Sequence, residues 1–359
     1  MTESEQTRAT LTGIDRELLR LFEQRMQAVA GIAAYRQERG LPARNADAAP
    51  ESPGAVSDPE IAEYAPLFLQ RLSELSARYQ TRLQSGMRIA YCGVEGAFAF
   101  LAAGRLFSGS QRQGYPDFSK AYTSVESGEC DCAVLPLENS SAGEVGAVLD
   151  LLYSGSLYVN RVAAFPVRHC LLGNPGTRLS DIRTVLSHPQ ALMQCAGFLN
   201  ALNAEAQEAA NTALAAKTVK ESGDPTLAAI ASEEAAAHFG LTVLRGDISD
   251  RADNATRFAV LSRVPNRDIA KENPHFLLLF TVPDRAGALV QALNILGVHG
   301  YNLCRLRSRP MKGLTWHYYF YVEAEGDPQS TDGQAMLREL NTLCGSLKLV
   351  GVFPADDSP

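Results

Sequence analysis

The run Ala133-Val134-Leu135-Pro136-Leu137-Glu138-Asn139-Ser140-Ser141-Ala142-Gly143 decides how the chain is read. Five apolar residues, led in by Asp131-Cys132, read as a buried strand. The strand ends in a polar cluster and a small-residue turn. That ending puts side chains at the carboxyl edge of a sheet, where α/β folds bind ligands. The design recurs. Val185-Leu186 runs into Ser187-His188-Pro189-Gln190, followed by a helix carrying Gln194 and Cys195. Asn254-Ala255-Thr256-Arg257-Phe258 opens the strand Phe258-Ala259-Val260-Leu261. Upstream, Arg88 to Gly93 reads as a strand entering a glycine turn, and Gly93-Val94-Glu95-Gly96 opens a helix near Ala97. A helix start offers free amides and a positive dipole end to an anion. The third glycine and the distant acidic residue of a dinucleotide fingerprint are missing.

Composition bounds the rest. The chain has 359 residues, enough for two to three domains. Hydrophobic residues make up 46% and charged residues 20%, which excludes wholesale disorder. With 33 Lys+Arg against 40 Asp+Glu the net charge is −7, which argues against a nucleic-acid partner. The polar N-terminus shows no secretory signal. The longest apolar run, Phe276 to Val282, is too short for a bilayer. A cytoplasmic protein with no membrane partner is expected. Seven scattered cysteines, with only Cys130-Asp131-Cys132 as a close pair, predict free thiols and no metal site.

Several of these motifs together, LPLENSSAG, His169-Cys170-Leu171, SHPQAL with Gln194-Cys195, and N-x-TRF, closely resemble prephenate dehydratase from Arg88 to Arg263. The resemblance implies two α/β lobes, similar to type II periplasmic binding proteins, with the active site in the cleft between them. Prephenate loses its ring carboxylate as CO₂ and its ring hydroxyl as water, giving phenylpyruvate. The enzyme must protonate or hydrogen-bond the leaving hydroxyl and hold two carboxylates in place. The resemblance implies that Thr256 assists that departure and that Glu138, Asn139, Ser187 and Gln194 are active-site residues. Arg257, Thr212 and Ser140 are expected to bind substrate, Arg257 through its planar fork. No cofactor is expected. One departure stands out: the family carries hydroxyls after the second glycine, whereas this chain reads Gly96-Ala97-Phe98-Ala99-Phe100.

The flanks are read in the same way. Leu11, Ile14, Leu18, Leu21, Val29 and Ile32 form a helical stripe that also carries Arg25 and Arg36. A second helix, about Pro59 to Gln84, aligns Ser76 and Gln80 with Leu69, Leu72 and Leu83. Polar groups on apolar stripes need partners. This segment resembles the all-helical class of chorismate mutase, which implies that Arg8, Arg25, Arg36, Ser76 and Gln80 bind chorismate. Between them, Asn45 replaces an Asp, and Ala48 and Ala49 stand where an Arg and a catalytic Glu are expected. A weak or degenerate mutase domain that keeps a structural or dimerising role is expected. From His275 the order strand, helix, strand, strand, helix, strand resembles an ACT domain. Gly287-Ala288-Leu289-Val290 matches its GALV motif. Ser308-Arg309-Pro310 matches most of its ESRP motif, with Arg307 in place of Glu. Phenylalanine is the effector this implies.

The expected organisation is therefore multidomain. Residues 1–86 form an all-α mutase-like domain, 87–266 an α/β two-lobed dehydratase domain, and 274–355 an α+β, ferredoxin-like βαββαβ ACT domain. A homodimer or homotetramer is expected. The leading function is prephenate dehydratase. The alternatives are a fully bifunctional chorismate mutase/prephenate dehydratase and a non-catalytic sensor of an aromatic acid or amino acid.

Overall fold

The computed structural model describes residues 3–39, 56–251, 253–266, 273–314 and 316–355. The Pro42 to Pro50 run, with Asn45, Ala48 and Ala49, lies outside them. The chain divides into two compact units. One is residues 1–87 with 109–111; the other holds the remainder.

The first unit is helical. α1 (Glu3–Glu38) packs against α3 (Ala65–Ser85), and α2 (Pro59–Ala62) precedes α3. The single helix expected from Pro59 to Gln84 is thus two, with Pro66 in the first turn of α3 setting the restart. Val29 and Ala33 are buried, but Leu11, Ile14 and Leu18 are 55%, 51% and 47% exposed. Leu21 and Ile32 are also about half exposed, so of the apolar stripe of α1 only Val29 is buried.

The second unit carries three sheets. The first lobe contains β1 (Arg88–Cys92), α4 (Phe98–Leu106), β2 (Gln111–Tyr115), α5 (Phe118–Ser127), β3 (Cys132–Asn139), β4 (Gly143–Glu144), α6 (Gly146–Ser154) and β5 (Tyr158–Pro166). The chain then enters the second lobe. This contains β6 (Cys170–Gly173), β7 (Thr184–Ser187), α7 (Pro189–Gln194), α8 (Ala196–Leu202), β8 (Glu205–Glu208), α9 (Thr212–Ser222), β9 (Leu227–Ala231), α10 (Glu233–Phe239) and β10 (Thr242–Arg245). It returns through β11 (Ala255–Ser262), which inserts antiparallel between β3 and β5. The strand orders are β2-β1-β3-β11-β5 and β10-β6-β9-β7-β8. Two crossings between lobes place the ends of β3, β7 and β11 around one cleft.

The last sheet follows: β12 (Pro274–Thr281), α11 (Ala288–Val298), β13 (Leu303–Pro310), β14 (Tyr318–Glu325), α12 (Thr331–Leu343) and β15 (Ser346–Pro354). Its order is β13-β14-β12-β15, all antiparallel. Phe276 to Phe280 is apolar at every position because both faces of β12 are covered. Phe276, Leu278 and Phe280 pack under the helices with Leu296, Met336 and Leu340. Leu277 and Leu279 point the other way and join the first lobe's core with Leu135, Val159 and Val350. There β15 approaches β5 so closely that a Cβ on Gly351 would collide with the Val159 carbonyl.

Candidate active site

A cleft cavity of about 480 Å³ lies between the two lobes. That volume suits a small molecule. It is lined by Thr256 and Phe258 of β11, Asn139 of β3, His169, Gln194 of α7 and Thr212 of α9, together with the first residues of α4. Residues 256 and 258 both face the cleft because strand side chains alternate.

Asn139 organises the centre. Its Oδ1 accepts the backbone N–H groups of Ser141 (3.0 Å) and Ala142 (2.9 Å), which closes the turn after β3. Two backbone donors on one amide atom fix which end of the side chain is oxygen. Nδ2 must then be the donor. It gives hydrogen bonds to Thr256 Oγ1 at 2.9 Å, Asn254 Oδ1 at 2.9 Å and Ala255 O at 3.2 Å. Thr256 Oγ1 thus accepts a hydrogen bond from Asn139 and keeps its own O–H free to donate. Its position in the cleft wall makes bound substrate the acceptor within reach.

The polar chain continues into the second lobe. Gln194 Oε1 accepts from Asn254 Nδ2 at 3.0 Å and contacts His169 Nε2 at 2.8 Å. An acceptor oxygen requires His169 to carry its proton on Nε2. His169 is 2% exposed, and burial pushes its pKa below the ordinary histidine value against the opposing hydrogen bond from Gln194. It is a neutral ring in the cleft wall. Asn254, 4% exposed, stands in the sequence only as part of a motif and belongs to no expected site set. Its signal was its place two residues before Thr256.

Other expected site residues lie elsewhere. Ser187 is fully buried and its hydroxyl donates to Ile230 O at 2.6 Å, a contact inside the second lobe. Ser140 Oγ donates to Asp253 O and accepts from Ala255 N, both at 3.0 Å, which ties the β3 turn to the start of β11. Arg257, expected as a carboxylate partner, points to the opposite face of its sheet from Thr256 and is 8% exposed. Its guanidinium pairs with Glu323 of β14 at 2.8 and 3.1 Å. Glu138 likewise leaves the cleft and meets Arg305 Nε at 3.0 Å, Arg307 Nη2 at 3.4 Å and Arg257 Nη1 at 3.6 Å. Strand alternation is the reason: a strand presents neighbouring residues to opposite faces, so the pair beside Asn139 and Thr256 must face away. Cys195 is a packed thiol whose pKa burial pushes up to about 12.

No Lys or Arg occurs among the described residues that line the cleft. What the cleft offers an anion is α4. Its N-cap, Ala97, makes no side-chain capping bond, so the first-turn amides stay open where the family carries hydroxyls.

In the helical unit, Arg25 Nη1 hydrogen-bonds Ser76 Oγ and, at 3.2 Å, Leu72 O. Ser76 and Gln80 are each 7% exposed. Arg8 sits on the exposed half of α1, about 25 Å along the helix from Arg25, and Arg36 lies in its last turn. One chain brings Arg25, Ser76 and Gln80 onto a common helix pair but leaves Arg8 apart. In the C-terminal sheet, Ala288 and Leu289 line a cavity of about 600 Å³ with Arg285, Trp316 and Phe320. Gly287 is the N-cap of α11 at φ 82°, and Val290 is 63% exposed. Ser308, Arg309 and Pro310 lie on β13, and Arg309 is taken up by Glu144 (2.7 Å) and Asp150 (3.0 Å) of the first lobe. Among the described residues one trio could offer metal ligands, His275, Cys304 and Glu325. The Cys304 thiol already donates to Glu325 at 3.5 Å and lies 3.8 Å from His275 Nδ1, so hydrogen bonding accounts for that cluster.

Two α/β lobes crossed twice by the chain, with a hydroxyl donor set in a largely apolar cleft, make a two-lobed small-molecule site. Residues 89–266 match the family model for prephenate dehydratase. An arogenate dehydratase/prephenate dehydratase of Arabidopsis thaliana is 33% identical over 92% of this chain and 88% of that protein. A bifunctional chorismate mutase/prephenate dehydratase of Neisseria gonorrhoeae is 32% identical over 97% and 96%. A solved prephenate dehydratase from Arthrobacter aurescens in complex with L-Phe superposes with TM-score 0.70 at 30% identity, covering 76% of this chain and 91% of that one. The chain belongs to the prephenate dehydratase family.

Proposed function

We propose that this cleft converts prephenate to phenylpyruvate, with Thr256 donating a hydrogen bond to the departing ring hydroxyl, which takes its proton from solvent and leaves as water. The observation that carries the reading is the direction of one hydrogen bond. Asn139 Nδ2 donates to Thr256 Oγ1, so the threonine O–H is free to hydrogen-bond the leaving group and is polarised by the bond its oxygen accepts. A free threonine is a weak acid. Here the hydroxyl departs as electron pairs released by CO₂ loss aromatise the ring, so a hydrogen bond that strengthens along the reaction suffices. Asn254 holds Asn139 and is itself held by Gln194 of the second lobe, and Thr212 lines the same cavity. The α4 amides take the side-chain carboxylate. Replacing Thr256 by Ala lowers phenylpyruvate formation by about 10²–10⁴ in kcat with the fold intact; wild-type turnover in that variant would refute the assignment.

The remaining assignments rest on the same reading. Residues 87–266 form the catalytic domain and 274–355 an ACT domain that takes phenylalanine beside Ala288 and Leu289. The βαββαβ order and the cavity at the start of α11 support it. Residues 1–86 are a mutase-like helical domain of low activity toward chorismate. The largely exposed stripe of α1 and the separation of Arg8 from Arg25 support a homodimer in which a second copy covers that stripe. No helix among the described residues is long and apolar enough to cross a membrane, and a cytoplasmic enzyme is the reading this supports. Feeding chorismate and prephenate separately while following phenylpyruvate absorbance separates dehydratase, bifunctional enzyme and sensor.

A further inference from the structure

The two residues that left the cleft are not idle. Arg257 and Glu138 are direct cross-strand partners on β11 and β3, one step along the ladder from the pair Thr256 and Asn139. The register slips between Arg257 and Phe258, where β3 carries Leu137 as an extra residue, so the strand pair is bulged immediately after this pair. A bulge breaks the ladder and loosens pairing unless something else fixes it. Here the fixing groups come from another sheet. Glu323 of β14, 1% exposed, takes both ends of the Arg257 fork. Arg305 of β13 bridges Glu323 at 2.9 Å and Glu138 at 3.0 Å, which closes a ring of four side chains. Arg307 adds a weaker contact to Glu138. Burial would raise the Glu323 carboxyl, yet Arg257 and Arg305 outweigh it and hold it ionised below the ordinary value.

We infer that Glu323, with Arg305, is a positioning residue for the dehydration step. Through Arg257 and Glu138 it fixes the register of the bulged strand pair and so the 2.9 Å contact between Asn139 and Thr256. It touches no substrate. Removing the anchor lets β11 shift against β3, and a misplacement of about 1 Å at a reacting group costs on the order of 10²-fold.

The inference rests on Thr256 as hydrogen-bond donor, and the experiment separates the two. Glu323→Gln keeps the shape and removes the charge; Arg305→Gln, on a partly exposed residue, is the companion variant where the first does not fold. Each is measured alone and combined with Thr256→Ala in the full chain, with prephenate as substrate. The expected result is a fall in kcat of about 10- to 100-fold with KM changed less than about threefold. Adding the same change to Thr256→Ala should cost nothing further, because the group being positioned is gone. Glu323→Asp, which keeps the charge, should recover part of the loss. A merely structural role would lower both backgrounds alike, and that additive result would overturn the inference, as would a folded Glu323→Gln protein with wild-type kcat. An active Thr256→Ala single variant would instead sink the reading of Thr256 itself.

Discussion

The hydrogen bond between Asn139 and Thr256 can be reversed with one atom. Asn139→Asp keeps the size of the side chain and the oxygen that accepts from Ser141 N and Ala142 N, so the turn after β3 is preserved. The nitrogen becomes a second carboxylate oxygen, 2.9 Å from Thr256 Oγ1. A carboxylate cannot donate, so Thr256 must now donate to it, and its proton turns away from the cleft. The loss is that of a positioned hydrogen-bond donor, about 10²–10⁴ in kcat. The new oxygen also faces Asn254 Oδ1 and Ala255 O, acceptors previously satisfied by Nδ2. Acceptor against acceptor in a half-buried site costs about 1–3 kcal/mol. The same crowding favours the protonated acid, so the introduced carboxyl has a raised pKa. Protonated, it can donate to Thr256 again. The variant should therefore be almost inactive at pH 8 and gain relative activity as pH falls toward 5. The assay is phenylpyruvate absorbance across that range, normalised to wild type, with circular dichroism as the folding control. Wild-type kcat at pH 8, or a relative activity that does not rise on acidification, would show that bond direction is irrelevant.

Two further outcomes follow from packing and burial. Gly351→Ala drives a Cβ into the Val159 carbonyl between two fixed strands and should cost about 1–3 kcal/mol, read as a lowered thermal midpoint; Gly297→Ala, on an open helix face, is the control and should not lower it. An unchanged midpoint in the first variant would mean that β5 and β15 can part freely. His169 has a folded pKa below its unfolded value near 6.5, so the unfolded chain binds more protons in the window beneath that value. Its contribution to stability is present above pH 6.5 and is lost as pH falls through the folded pKa. Urea midpoints of wild type and His169→Gln should converge on acidification, and parallel curves would remove the claim.

The sequence revealed motifs more readily than directions. The strand at Ala133 to Leu137, the polar turn after it and the Thr256 motif were all legible, because a buried apolar run ending in Asn, Ser and Gly has few other readings. The break between α2 and α3 was not, since Pro66 is tolerated in a helix's first turn and does not by itself announce one. A contiguous motif suggests that Glu138 and Arg257 share the cleft with their neighbours, whereas a strand sends alternate residues to opposite faces. The alternation was available: Thr256 inward puts Arg257 outward. What receives it was not, because Glu323 is 66 residues away. Arg305, Arg307 and Arg309 carried a readable signal, three arginines at every second position of β13. They meet Glu138, Glu144 and Asp150. Arg307, which reverses the charge of the familiar motif, is thus part of a basic strip facing an acidic edge.

That strip bears on why no Lys or Arg stands among the described residues of the cleft lining. Prephenate is a dianion, and the simplest expectation gives each carboxylate an arginine. The chemistry asks for something different at the ring carboxylate, which loses its charge as CO₂ forms. A guanidinium clamped there would stabilise the ground state more than the transition state and slow the step. The leaving hydroxyl gains charge over the same interval and profits from a donor. A cleft with Thr256 at one side, Phe98 and Phe258 in the wall, uncapped α4 amides for the carboxylate that stays charged, and Arg257 turned outward matches that asymmetry. The outward arginine then serves the site indirectly, by holding the register of the strand that carries Thr256.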